Sequence, residues 1–394
     1  MKAVVVDPLD VARSGVIPLL ERLISFPTLS KSSNLELIHF IQDYLNQYAV
    51  PSTLLPSDCG TKAALIASID PLVPGGVVLS GHSDVVPVEG QNWTSDPWTL
   101  REQDGHYFGR GACDMKGFLA TCLAMVPHFQ AMPLKRPIHI VISFDEEIGC
   151  FGVPLLIDHL ISEQPPVSAV LVGEPTLMQI VNAHKGTWSL MTRVTGYEVH
   201  SSLMHEGVSA VMAAARLVTW HDDRTQDNAA NAKPSPFNPP YTTLHVGRIK
   251  GGTSGNITAG YCSFPTDIRV LPEERMDDWY EAYVAYADTL EEKLQAVRPE
   301  ARIAISVNAR VPGLAVEQDG VAEALVRSLL APVTSEVGGF GSEAGLFQEA
   351  GLSTVVVGPG SIAQAHQPDE FISLGQLAEC VALFEGLAAH LSHS

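Results

Sequence analysis

The chain has 394 residues, with 24 Lys plus Arg against 44 Asp plus Glu, a formal net charge of −20, 46% apolar residues and a mean hydropathy of +0.13. That composition excludes a disordered chain, and the length suits two domains or one large domain with an insert. The acidic field argues against nucleic acid and anionic membrane surfaces as partners. No apolar run approaches the ~18 residues of a membrane span, and Met1–Asp10 carries neither a basic leader nor a long apolar stretch, so a cytoplasmic protein is expected. Six cysteines lie singly, with no C-x-x-C pair, which reads as free thiols.

In chain order, Val11–Ser25 and Asn34–Tyr48 have the three- and four-residue apolar spacing of helices. Short β-branched runs follow at Ala64–Ile69, Val77–Ser80, Ile138–Phe144 and Val167–Val172, interleaved with helical patterns at Met115–Gln130 and Gly152–Ser162. This alternation predicts an α/β architecture, helices over a mixed, largely parallel sheet. From Lys185 the pattern changes to strand Thr187–Thr195, helix Glu206–His221, strands Tyr241–Lys250 and Thr258–Leu271, helix Met276–Val297 and strand Arg302–Asn308, with an Asn- and Pro-rich loop at Asn228–Pro240. That order is the β-α-β-β-α-β unit of ferredoxin-like domains. After about Pro312 the first style resumes, with helices Gly320–Leu330 and Ser342–Ala350, strand Thr354–Val357 and helix Leu374–Leu391. The predicted organisation is one α/β domain built from residues 1–183 and 313–394, interrupted by a compact domain over 184–312.

The candidate ligands fall at telling places. His82 and Asp84 follow the run Val77–Ser80, Asp145-Glu146-Glu147 follow Ile138–Phe144, Glu174 follows Val167–Val172, and His366 lies in the loop after Thr354–Val357. The C-terminal ends of strands in an open α/β sheet line one crevice, where ligands bind. Asp114 adds a further carboxylate, in a Gly-flanked turn before Met115–Gln130. A His-x-Asp is common by chance, and an acidic triplet is usually a solvated turn. Carboxylates at the end of so apolar a strand need a cation or hydrogen bonds, however, and the joint placement suits a borderline cation such as Zn²⁺. No G-x-G-x-x-G follows a strand and no Walker A sequence occurs, which disfavours a nucleotide-binding protein.

Five motifs carry a resemblance over nearly the whole chain: Gly81-His82-Ser83-Asp84-Val85-Val86-Pro87, Gly109-Arg110-Gly111-Ala112-Cys113-Asp114-Met115-Lys116-Gly117, Asp145-Glu146-Glu147-Ile148-Gly149, Gly173-Glu174-Pro175-Thr176 and Ala365-His366-Gln367-Pro368-Asp369-Glu370. The sequence resembles the co-catalytic zinc amidohydrolases and peptidases, the family of acetylornithine deacetylases, succinyl-diaminopimelate desuccinylases and aminoacylases. The resemblance implies two Zn²⁺ per subunit, with Co²⁺ a plausible substitute. It makes His82 and Glu174 ligands of one metal, Glu147 and His366 ligands of the other, and Asp114 the bridge. It further makes Glu146 the general base and Asp84 the carboxylate that orients His82. In the inserted domain it implies that His200 reaches the active site of the opposite subunit of a homodimer joined through that domain, and that Asn256 and Arg269 bind the substrate's carboxylate.

The segments Asn182–Gly186 and Gly358–Glu370 look most like the deacetylases of N-acetyl-L-ornithine that serve arginine biosynthesis. A desuccinylase or broad N-acyl amino acid hydrolase is the alternative on this scaffold. A non-catalytic interaction protein is the remote one, and all seven metal-site positions are intact. The stretch Phe340-Gly341-Ser342-Glu343 departs from the family's usual small-polar loop.

Overall fold

The computed structural model describes residues 7–330 and 332–393; Met1–Val6, part of the N-terminal stretch read above, Ala331 and Ser394 lie outside the described residues. The chain forms two compact units. The first comprises residues up to Ala183, Val316–Glu336 and the chain from Ser342 onward; the second comprises His184–Ala315 and Val337–Gly341.

The first unit is built on an eight-stranded sheet in the order Ser52–Pro56, Ala63–Ile69, Ile138–Ser143, Gly76–His82, Val167–Val172, Thr354–Val356, Ile180–His184, Ser335–Gly338. The four central strands from Ile138–Ser143 to Thr354–Val356 run parallel, and the pairs outside them at Ser52–Pro56, Ala63–Ile69 and Ile180–His184 are antiparallel. Ala63–Ile69, Gly76–His82 and Ile138–Ser143 are buried at every position, which is why they read as predominantly apolar runs rather than as alternating ones. Helix Gly117–Ala131 is nearly apolar throughout and Leu374–His393 is apolar along its buried face, and Phe118 meets Phe384 edge-on at 5.5 Å within the core. The parallel run sends the C-terminal ends of four strands to one edge of the sheet, the geometry that gathers the site.

The second unit has its own core, centred on Leu190, Leu217, Phe264, Ile268 and Tyr283. Its antiparallel sheet runs Thr243–His245, Tyr261–Val270, Gly186–Thr195, Arg302–Val311, with helices Ala210–Ala230 and Met276–Gln295. Burial alternates along Gly186–Thr195 and Tyr261–Val270, the mark of a sheet covered on one face.

Several boundaries differ from expectation for identifiable reasons. The helix predicted at Glu206–His221 starts at Ala210, where Ser209 Oγ accepts from Met212 N at 3.3 Å, and runs on to Ala230, absorbing the start of the predicted Asn228–Pro240 loop. Ser201–Glu206 is a separate 3₁₀ turn, and the predicted strand Tyr241–Lys250 is two short pieces, Thr243–His245 and Lys250–Gly251. The predicted edge at 312 moves to Ala315 because Leu314 and His184 exchange main-chain hydrogen bonds at 2.9 and 3.0 Å. Val337–Gly341 also belongs to the second unit. Among the described residues no helix is long and apolar enough to cross a membrane.

His139 in the first unit and His221 in the second are buried, and burial pushes each imidazole down to about 4 from the ordinary 6.5. Between those values the unfolded chain binds a proton that the folded chain does not, so stability is fully present above about 6.5 and falls as pH drops towards about 4. Each group contributes up to about 1.4 kcal/mol per pH unit to that slope. Thermal melts at pH 7 and 5 are expected to show a smaller loss for His139→Gln than for the parent; an equal loss would mean that His139 takes up its proton in the fold.

Candidate metal centre

His82 closes the strand Gly76–His82 and is wholly buried. Its Nδ1 donates to the main-chain carbonyl of Asp84 at 2.8 Å, which turns Nε2 towards Asp114 Oδ1 at 3.0 Å and Glu174 Oε1 at 3.7 Å. The orienting contact expected from the Asp84 carboxylate is therefore made by that residue's backbone; the nearest carboxylate oxygen stands 3.7 Å away. The Asp84 carboxylate instead accepts from Glu146 N at 3.0 Å, Glu147 N at 3.4 Å and Ser30 Oγ at 2.8 Å, so it sets the acidic turn rather than the ring.

That turn follows the strand Ile138–Ser143. Asp145 takes a left-handed φ of +53° and is held there by Lys31 N at 2.8 Å and by the Lys62 ammonium. Its carboxylate is thus used up in the fold, and the 3₁₀ turn Glu146–Ile148 aims the next two acids apart. Glu147 meets His366 Nε2 at 3.0 Å, and that same nitrogen is 3.3 Å from Asp114 Oδ2. Glu146 groups with His82 and Glu174, while His82 and Glu147 group with Asp114. The two oxygens of Asp114 consequently face different imidazoles.

Asp114 lies in the irregular turn Ala112–Lys116, entered through Gly111 at φ +82°. The buried Glu370 fixes this turn: it accepts from Gly111 N at 3.1 Å, Cys113 N at 2.8 Å and Asp114 N at 2.9 Å, and pairs with the buried Arg110 at 2.6 Å. Lys116 ties the turn to the first helices by donating to Leu23 O and Phe26 O at 3.0 and 2.7 Å. Glu174 follows Gly173, where a Cβ would sit 2.1 Å from the Phe118 ring. His366, about half exposed, reaches in from the loop at φ +63°. Glu370, Arg110, Lys62 and Glu343 play parts that sequence reasoning did not assign. Glu370 and Arg110 stood inside quoted motifs, yet nothing in the chain alone says that they pair.

The electrostatics ask for a cation. Burial, reinforced by neighbouring carboxylates, raises Glu146 and Glu174 well above the ordinary range, against the pull of His82. Burial and Asp114 bring Glu147 to about 7, while hydrogen bonds to Asp114 and Glu147 bring His366 to about 10. Glu174 Oε1 is buried without a hydrogen-bond partner. With Nδ1 of His82 already donating to a carbonyl, Nε2 presents a lone pair to two carboxylates, an arrangement that an added proton or a metal ion satisfies. Two imidazoles and four carboxylates offer the N and O donors of a borderline divalent cation.

The other expected residues lie on the second unit. His200 bridges to Ile257, with Ser201 N donating to Asn256 O at 2.9 Å, so His200 and Asn256 are neighbours; both are exposed. Arg269 is near the far end of the 10-residue strand Tyr261–Val270, a span of about 30 Å. Its Nε donates to Asp267 Oδ1 at 2.8 Å and its Nη1 to Thr187 Oγ1 at 3.1 Å. It lines a cavity of about 340 Å³ with Lys185, Phe237, Thr243 and Phe340. The unit therefore brings His200 and Asn256 together and keeps Arg269 apart from them.

A carboxylate-rich centre with two imidazoles, at the C-terminal edge of a parallel sheet in a two-unit chain, defines a metal-dependent hydrolase. The chain belongs to peptidase family M20/M25/M40, whose model matches residues 78–390. It is 32% identical over 362 residues to an acetylornithine deacetylase of Pasteurella multocida, covering 89% of this chain and 91% of that one. It is 33% identical over 391 residues to an acetylornithine deacetylase of Proteus mirabilis, covering 94% and 97%. Among solved structures it shares its fold with an M20 family metallo-carboxypeptidase from Sulfolobus solfataricus, at TM-score 0.73 and 17% identity over 96% of this chain and 99% of that one. A di-peptidase from Saccharomyces cerevisiae matches at TM-score 0.73 and 15% identity over 98% of each chain.

Proposed function

We propose that the chain is a two-metal amidohydrolase that removes the acetyl group from an N-α-acetyl amino acid, N-acetyl-L-ornithine above all, in arginine biosynthesis. The observation that carries this reading is Asp114, whose two oxygens face His82 and His366 separately, the disposition of a bridge between two cations. His82 and Glu174 would hold one ion, Glu147 and His366 the other, with Zn²⁺ the favoured metal and Co²⁺ a substitute. When bound, such ions supply Lewis acidity, acidifying water and polarising a carbonyl oxygen. Glu146, raised by burial, takes the proton of the attacking water and returns it to the departing amine. Arg269 suits the substrate's α-carboxylate through its planar guanidinium, and its cavity is walled by Phe340 from the loop that departs from the family pattern. The acetylornithine deacetylases that this chain resembles support the choice of substrate.

The decisive experiment assays the zinc-loaded protein against N-acetyl, N-formyl and N-succinyl amino acids. Preference for N-acetyl-L-ornithine is expected. Preference for a succinyl substrate would move the reading to the desuccinylase on the same scaffold, and selectivity for amides with no α-carboxylate would overturn it.

We further propose a cytoplasmic homodimer joined through the second unit, with His200 and Asn256 completing the partner's site. Two observations support this. His200 and Asn256 sit a strand's length from Arg269, and exposed apolar side chains surround them: Leu203 and Met204 in the turn after His200, and Ile257 at its bridge. An imidazole N–H aimed at the developing oxyanion would add a few kcal/mol of transition-state stabilisation. Mixing His200→Ala with Glu146→Gln subunits, each nearly inactive, is expected to restore a fraction of parental activity as mixed dimers form. No recovery, with exchange verified by native mass spectrometry, would mean that His200 acts within its own chain or not at all.

A further inference from the structure

Glu343 ends the stretch Phe340-Gly341-Ser342-Glu343, just past the point at Gly341 where the chain leaves the second unit. It is 0% exposed. Its Oε1 accepts from Ser80 Oγ at 2.5 Å and its Oε2 from Ser143 Oγ at 2.7 Å. Ser80 precedes His82 by two residues on one strand; Ser143 closes the neighbouring strand, pairs directly with His82 in the parallel ladder, and precedes Asp145-Glu146-Glu147 by two.

Three other buried carboxylates around the centre, none of them among the expected metal ligands, are compensated differently. Asp145 has Lys62 and a main-chain N–H, Glu370 has Arg110 and three main-chain N–H groups, and Asp84 has two N–H groups and a hydroxyl. Glu343 has two neutral hydroxyls. A carboxylate taken out of water for such partners is a poor source of stability, since apolar packing of the same volume would serve better. What it does have is position: it joins the ends of the two adjacent strands that carry His82 and the Glu146–Glu147 turn.

We propose that Glu343 is a positioning residue for the metal centre, a strap across the two strand ends that holds His82 in place relative to Glu146 and Glu147. The inference rests on the metal reading above and names a residue outside the ligand set. Ligand geometry at a metal depends on such outer contacts, whose loss typically costs about 10- to 100-fold in metal affinity or activity.

The test measures zinc affinity by chelator competition, together with kcat and KM, for Glu343→Leu, Glu343→Gln and Ser143→Ala. Glu343→Leu removes the strap, and a loss of about 10- to 100-fold in zinc affinity and in kcat is expected, with KM nearly unchanged. Glu343→Gln can still accept from one serine and donate to the other, so most of both losses should be recovered. Ser143→Ala removes one hydrogen bond and little volume, and it reports on the strap even where Glu343→Leu fails to fold; an intermediate loss of affinity is expected. Parental affinity in Ser143→Ala, or a Glu343→Gln variant as impaired as Glu343→Leu, would overturn the proposal. A parent chain that takes up no zinc would instead overturn the metal reading itself, so the two failures are distinguishable.

Discussion

A Glu146→Gln variant is expected to fold, to take up its metal as the parent does, and to lose about 10²–10⁴ of its turnover. The geometry that supports this separates Glu146 from its neighbour. Glu147 is committed to His366 at 3.0 Å, whereas Glu146 has its main chain held by Asp84 and its carboxylate near the Cys150 thiol, which donates to Oε1 at 3.4 Å. Burial raises its carboxyl well above the ordinary carboxylate range, the direction that favours a group which must both accept and return a proton. Glutamine keeps the shape and one acceptor oxygen but cannot accept a proton. Steady-state kinetics beside atomic spectroscopy decide the matter. Near-parental kcat in a metal-loaded variant would remove Glu146 from the mechanism, and a fall in metal content would make it a ligand, as its grouping with His82 and Glu174 permits.

The other large effect belongs to Asp114. Its carboxylate lies 3.0 Å from His82 and 3.3 Å from His366, and hydrogen bonds from His366 and His82 pull it down against its burial. In the two-metal reading it would be a ligand shared by both ions, so Asp114→Ala is expected to take the metal content from two per chain to near zero and activity with it. His366→Ala should differ in kind, because it strips one ligand from one ion only; the content is expected to fall to one. Equal stoichiometry in the two variants would refute the bridge. Circular dichroism and melting curves guard against a trivial explanation, since Asp114 N is itself anchored to Glu370 at 2.9 Å.

Much of this arrangement was legible in the chain. Predominantly apolar runs such as Ile138–Ser143, interrupted by His139 and closed by Ser143, announce strands covered on both faces, because a strand buried everywhere has no solvent-facing side to alternate. Acids and histidines immediately after such runs announce a crevice, because parallel strands end together. The β-α-β-β-α-β order of the second unit was equally plain, as amphipathic periodicity is a local property.

What the chain did not disclose was pairing at long range. Ser52–Pro56, Arg101–Gln103 and Phe371–Ser373 are short strands of mixed polarity, and they are strands only because a partner strand lies alongside. The same holds inside the site. His82 and Asp84 are two residues apart, which suggested a carboxylate–imidazole contact; the fold gives that contact to the backbone carbonyl and turns the Asp84 carboxylate to the amides of Glu146 and Glu147, 62 and 63 residues away. Glu343 reaches Ser80 across 263 residues and Ser143 across 200. Residue type and strand-end position therefore determined which groups carry the chemistry. Which carboxylates face the centre and which hold the backbone was decided by tertiary structure alone, because burial obliges every polar atom to find a partner and only packing determines which partners are near.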